Sequence, residues 1–446
     1  MAPSDASRAL ARFGLGMRGN AETRGQGDVR TLLLAEIDRP RAALMNDPSL
    51  LDSREAWLAV REEARRRKEG KEPPEGAPKN VARAIYFDEV EARVRRIRRV
   101  DTGFVERIVG FWTNHFAVDL RGGARRGMAG AYEREAIRPH VLGHFDDLLL
   151  AATRHPAMLY YLNNITSVGP NSRLGVRRGR GLNENHAREI LELHTVGVTG
   201  GYTQDDVIAL AKILTGWSLG ADAKYPERFG RFTFKAPTHE PGPQVLMGTR
   251  YPDDGEEQGV AALRDLARQP ATARHVATKL ARHFVSDAPP PRLVEALTDS
   301  FLDSDGDLRS VYATLLHSDE AWDLPPSKLR PPQEFLWATI RAVDFNAPAP
   351  FCQRVLNLLG QPLWNPPSPA GFPDDSAEWL APDALTTRLD IAQAIAGRSR
   401  ALDPRGVAEE VLGASMSMAT SQSISRAETT EQGLALLLMS PEFQRR

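Results

Sequence analysis

Apolar positions recur every three to four residues along most of this chain, the spacing of helices that bury one face. One clear stretch begins at Asp101: Phe104, Ile108, Phe111 and His115 fall on one face, widened by Val105, Val109, Trp112 and Phe116. Another runs from Asn183 to His194. At about 100° per residue, Ala187, Ile190, Leu191 and His194 share one face, while Asn185, Arg188, Glu189 and Glu192 share a second. Asn183 suits an N-cap, Glu184 puts an acid in the first turn, and Gly197 stands where a left-handed residue ends a helix. Thr203-Gln204-Asp205-Asp206 then reads as a capping box before Val207, Leu210, Ala211, Leu214 and Trp217, so 183–217 is predicted to be a helix hairpin. Residues 137–164 are predicted helical too, with Pro156 in a first turn.

Alternation replaces the helical period only after Trp217. Arg231-Phe232-Thr233-Phe234-Lys235 and Val245-Leu246-Met247, separated by the turn-rich residues 237–243, predict one small β hairpin near 230–248 within an excursion over 218–255. From residue 261 to 446 helices return, punctuated by prolines. The loop 360–373 is too rich in proline and aromatic residues for a flexible linker and is predicted to pack as a fixed lid or buttress. Residues 61–80 are the opposite: a mixed-charge run ending in Glu72-Pro73-Pro74-Glu75-Gly76-Ala77-Pro78, expected to begin as an exposed helix and end as a mobile loop. The fold class expected is mainly α, a multi-helix globular bundle forming a single domain over 1–446.

Composition narrows the function classes. A chain of 446 residues, 41% hydrophobic, can bury a large core without disulfides or metals. Lys+Arg 57 against Asp+Glu 58 leaves a net charge of −1, which excludes a global field for nucleic acid or an anionic membrane. The single cysteine, Cys352, excludes an internal disulfide framework and a cysteine-rich zinc site. No apolar run approaches the roughly 18 residues of a spanning helix. Met1-Ala2-Pro3-Ser4-Asp5-Ala6 lacks a basic region followed by an apolar run, so no signal peptide is read, and a cytoplasmic location, or export with a partner, is expected.

Candidate chemistry lies near the strongest helices. His115 and His194 sit within apolar stripes, either as hydrogen-bonded core residues or as an inward-facing polar pair. His239 falls in the predicted hairpin loop, where exposure is expected. Two glycine- and arginine-rich loops, 121–127 and 173–181, offer Arg125, Arg126, Arg177 and Arg178 as anion contacts, or simply form surface loops. Neither matches a phosphate-binding or dinucleotide fingerprint, and no metalloprotease, nucleophile-elbow or kinase pattern is present. Metal-assisted hydrolysis or oxidation survives by elimination. In that reading His115, Glu189, Glu192, His194 and His239 surround a polar cleft, and His115, Glu189 and Glu192 are the expected ligands of a divalent transition metal. In the competing reading Arg188 and Glu192 pair on a solvated stripe, and the protein binds a partner without catalysis.

Phe111-Trp112-Thr113-Asn114-His115-Phe116, His155-Pro156-Ala157-Met158-Leu159 and Asn183-Glu184-Asn185 with Ala187-Arg188-Glu189 and Glu192-Leu193-His194 carry a family resemblance. Thr215-Gly216-Trp217, His239, Lys279-Leu280, His283-Phe284-Val285, Gly360-Gln361-Pro362 and Ser440-Pro441-Glu442-Phe443-Gln444 extend it almost end to end. On these motifs the chain resembles the bacterial family called domain of unknown function 1800. His186, Asn163, Glu240 and Phe372 depart from the family's usual residues, which argues against a family-wide catalytic role for His186. The resemblance implies a partner of the family called domain of unknown function 1501, whose members tend to be encoded beside it, and export together with that partner.

Overall fold

The structure, a computed structural model, describes residues 4–19, 28–119, 126–179, 181–220 and 226–446. It is mainly α-helical, from Ser4–Arg12 to Pro441–Gln444. Among the described residues, strand is confined to two small two-stranded antiparallel sheets.

The Phe104–His115 helix runs through the middle of the core. Every residue from Phe104 to Val109 is buried, including Glu106 and Arg107. Gly103 enters this helix with a left-handed φ of 75° and no side-chain cap. The free N–H groups of the first turn are met instead from outside: Phe104 N donates to Thr102 Oγ1 (3.1 Å) and Val105 N to the buried Glu36 carboxylate (3.1 Å). Further along, Trp112 Nε1 donates to Tyr312 Oη (2.6 Å), which donates to Val141 O (2.9 Å). These side chains belong to one contiguous apolar cluster whose members run from Ala9 to Phe443.

The predicted hairpin over 183–217 forms with one change of geometry. A short α-helix, Asn185–Glu189, passes into a π-helical turn, Ile190–His194. Asn183 Oδ1 accepts from Asn185 N, and the Thr203–Asp206 capping box opens the Gln204–Ile213 helix. Gly197 adopts φ 81°, and a Cβ there would lie 2.8 Å from His275 Nδ1, so both backbone angle and space require glycine.

The strands pair otherwise than expected. β1 (Trp217–Leu219) pairs with β2 (Phe232–Phe234), and β3 (Gln244–Leu246) pairs with β4 (Thr249–Tyr251). Residues 231–235 and 245–247 therefore do not face each other. Met247 and Gly248 both take positive φ (47° and 82°), the tight hairpin turn that closes β3 on β4 locally. The intervening stretch is drawn inward instead, through His239 and Glu240.

Arg61 to Lys68 complete the Ser53–Lys68 helix, and 69–76 beyond it are exposed. The loop 360–373 packs inward as expected, burying Leu363, Trp364 and Phe372.

Candidate functional site

The residues singled out from the sequence separate into three places. His115 and His194 do meet in the interior, with ring centroids 6.0 Å apart. His115 Nε2 donates to the His194 carbonyl (3.1 Å), and His275 Nε2 donates to the adjacent Leu193 carbonyl (3.1 Å). Both carbonyls stand at the end of the π-helical turn, where a helix leaves its last acceptors unmatched. Two histidines from two other helices cap it. Burial and the Lys279 charge push His115 well below the usual histidine range; burial and His186 do the same for His194. The rings are therefore neutral. His186, fully buried, is pushed down to about 3 by burial alone.

Glu189 and Glu192 lie away from these rings on a half-buried stripe, and Arg188 bridges Glu184 (3.1 Å) and Glu192 (3.5 Å). The metal set expected from His115, Glu189 and Glu192 does not assemble, because the histidine points with the apolar side chains and the acids do not. Among the described residues no group of three His, Cys, Asp or Glu side chains could hold a metal ion.

His239 is not exposed as its predicted loop position implied. It is buried, with Nδ1 donating to Thr215 O (2.8 Å), while Glu240 accepts from Asn171 through both carboxylate oxygens (2.8 and 2.6 Å). His239 thus ties the stretch after β2 to Thr215, just past the Gln204–Ile213 helix, and Glu240 ties it to the 169–172 turn. Among the arginine contacts, Arg125 lies outside the described residues, Arg126 sits over the Tyr86 ring (5.4 Å), and Arg177 and Arg178 are exposed on the Arg173–Arg178 helix.

A cleft assembles from residues that were not among the candidates for chemistry, although His283, Asn114 and Gln361 stand in the motifs that carry the family resemblance. It encloses about 100 Å³ between the Phe104–His115 helix, the Pro332–Ala342 helix and the 360–374 loop. On its outer side His283 Nδ1 donates to Asp374 (3.0 and 3.2 Å). His283 Nε2 faces Arg107 Nη2 (3.3 Å) and Glu334 (3.7 Å), and Glu334 also meets Arg107 (3.2 Å) and Arg446 (2.8 Å). Burial lowers the pKa of His283 while Asp374 pulls it up, so the resting ring is neutral, with its proton on Nδ1. Burial alone would raise Asp374, but His283, Lys328 and Arg446 outweigh it and hold the carboxylate far below its ordinary range. Burial and Arg446 push Arg107 down to about 9, against the pull of Glu334 and Asp374.

The inner wall is a buried ion network. Arg138 binds Glu106 through both terminal nitrogens (2.9 and 2.8 Å) and Glu133 through Nε (2.9 Å); Arg96 and Arg93 close on Glu106 and Glu133 respectively. Against the cost of burial, Arg138 and Arg96 hold Glu106 at about 2. Glu133 opens a second π-helical turn, Glu133–Ile137, and its free lone pairs accept from Trp364 Nε1 (3.0 Å) and Thr113 Oγ1 (3.3 Å). Such turns are common at functional sites, because the wider helix re-aims side chains. A larger cavity of about 480 Å³ beside Arg8, Arg330 and Arg445 has no histidine among its lining residues.

One signal for this cleft was present in the sequence. Glu106 and Arg107 fall inside an otherwise apolar helical stretch, where charge is costly unless it is paired. The partners, Arg138, Glu334 and Asp374, are too distant in the chain for spacing to reveal.

A family model described as Protein of unknown function (DUF1800) matches residues 8–445. No curated protein and no solved structure matches the chain.

Proposed function

Because the chain belongs to the DUF1800 family, whose description assigns no activity, the reading comes from the site, and we propose an enzyme that uses His283 as a general base. The observation that carries it is the Asp374–His283–Arg107 array. A half-buried carboxylate fixes the imidazole tautomer, and a guanidinium stands 3.3 Å from the other ring nitrogen. A bound anion would draw Arg107 onto itself and uncover Nε2 for proton transfer. The volume suits a substrate of a few heavy atoms, about the space of several water molecules. A short-chain carboxylate or a comparably small anion fits both size and charge. A divalent transition metal has no matching donor set here, so no step is routed through one.

The test is thermal melting against short carboxylic, 2-oxo and hydroxy acids and inorganic phosphate, followed by NMR of the substrates that bind. Ligand at about 100 times its Kd adds about 2.7 kcal/mol to the folded state. The shift should shrink and turnover should vanish in His283→Gln. A ligand shift and turnover both unchanged in that variant sink the proposal.

A second reading has one surface in its favour. Leu385 and Leu389, a helical turn apart on Pro382–Ala396, are both exposed beside Leu380. This patch supports a binding protein partnered by a member of the domain of unknown function 1501 family. Co-purification lost in Leu385→Glu and kept in His283→Gln supports that partner; co-purification kept in both removes the patch as its site.

A further inference from the structure

Lys279 and His283 stand one turn apart on the Pro270–Phe284 helix, and His275 stands one turn before Lys279. The four-residue spacing sets the three side chains in one row. Its ends are fixed: His275 on the Leu193 carbonyl, His283 on Asp374. The middle member has no hydrogen-bond or ion-pair partner among the described residues. Lys328 differs sharply, with Nζ engaged by Asp287 (2.7 Å) and by the Asp374 carbonyl (2.7 Å).

We propose that Lys279 is an amine nucleophile that takes a small aldehyde or ketone as an imine beside His283. This goes beyond the acid–base reading and rests on it: Lys279 stands one helical turn from the His283 that lines the cleft. Composition points the same way: only eight of the 57 basic residues are lysine, and one of them occupies this enclosed position. Arginine there would remain charged, whereas lysine loses its proton readily when enclosed. Burial and Arg282 push Lys279 down to about 8, against the pull of Asp374. The side chain keeps part of its surface exposed, so a small carbonyl compound can reach it.

The step balances without an outside reagent. The Nζ lone pair forms the C–N bond while the carbonyl π pair moves onto oxygen. His283 carries a proton from nitrogen to that oxygen, giving the carbinolamine. Loss of the C–O bond then releases water, which takes both protons of the neutral amine, and leaves the imine.

The experiment uses the full chain with glyoxylate, a small anionic aldehyde, and cyanoborohydride at pH 7, with modified lysines mapped by mass spectrometry. At that pH on the order of 100-fold more of Lys279 than of an unperturbed lysine is neutral. Lys279 should be alkylated at least about tenfold faster than the exposed Lys71. In His283→Gln the rate at Lys279 should fall while that at Lys71 holds. Labelling at Lys279 no faster than at Lys71 overturns the nucleophile, even where His283→Gln still abolishes ligand binding. Fast labelling of Lys279 that His283→Gln leaves untouched keeps the nucleophile and overturns the acid–base reading.

Discussion

Asn114 and Phe372, far apart in the chain, exchange two hydrogen bonds: Asn114 Nδ2 donates to Phe372 O (2.9 Å) and Phe372 N donates to Asn114 Oδ1 (2.7 Å). The amide of a core helix thus stands in for a strand neighbour and holds the proline-rich loop over the cleft. Gly371, at φ 83°, lets the loop come this close, since a Cβ there would lie 2.5 Å from Asn114 O. Asn114→Ala should remove both bonds and cost on the order of 1–3 kcal/mol. Melting temperature and the rate of proteolytic cleavage within 365–374 measure it. An unchanged cleavage rate would show that the loop is held by its other contacts, the buried Leu363, Trp364 and Phe372 among them.

Glu133 neutralises charge as well as accepting hydrogen bonds. Glu133→Gln should leave Arg93 and Arg138 undercompensated in the interior, at a cost of about 3–5 kcal/mol. Trp364→Phe removes one neutral donor to the same carboxylate and should cost about 1.5–3 kcal/mol for the hydrogen bond. Urea unfolding of the two variants gives the ratio, and equal costs would contradict the network as described.

Acid should unfold this protein through its histidines. His115, His186 and His194 are fully buried, and burial lowers all three. A histidine held neutral in the fold stabilises it above the unfolded value near 6.5 and loses that contribution as pH falls. For His186 the window runs down to about 3. Each should cost about 2 kcal/mol between pH 6.5 and pH 5. Melting temperature against pH should drop steeply over that interval, and the drop should be about one third smaller in His186→Phe. A profile level from pH 7 to pH 5 would rule this out.

The titration of His283 should respond to Asp374. Burial lowers the imidazole and Asp374 opposes that, so Asp374→Asn must lower its pKa further. Proton NMR of the ring gives the shift directly, and an upward move would mean that the pair is not the one described. Activity that needs neutral His283 should accordingly persist to lower pH in the variant, at a reduced rate because the tautomer is no longer fixed.

The helical class was legible because its cause is local: period, caps and proline positions all lie within a few residues of one another. The Thr203 capping box, the left-handed Gly197 and the Phe104–His115 stripe followed directly. Strand pairing was not legible, because the Met247-Gly248 turn competes with a longer loop, and tertiary contacts of His239 and Glu240 settle which one forms. The cleft was hidden for a related reason. His283, Asp374 and Glu334 acquire meaning only when three distant segments meet. His115 and His194 both read as members of apolar stripes, with their meeting left open; what joins them is a backbone carbonyl at the end of a π-helical turn, a geometry that no apolar period announces.

The row His275, Lys279, His283 faces a second row, Arg107, Phe111, His115, in antiparallel order: Arg107 against His283 (3.3 Å), and His115 against His275 (ring centroids 6.2 Å). Steps of four residues on a helix of 3.6 residues per turn drift by about 40° each. Two such rows can therefore stay aligned for little more than two turns, which is the length observed. This seam has a fixed reading frame. One residue inserted after Gly110 would leave Arg107 at the cleft and swing His115 by about 100° away from the carbonyl it caps. The number of residues between Arg107 and His115, and between His275 and His283, is therefore as much a part of this seam as the side chains that line it.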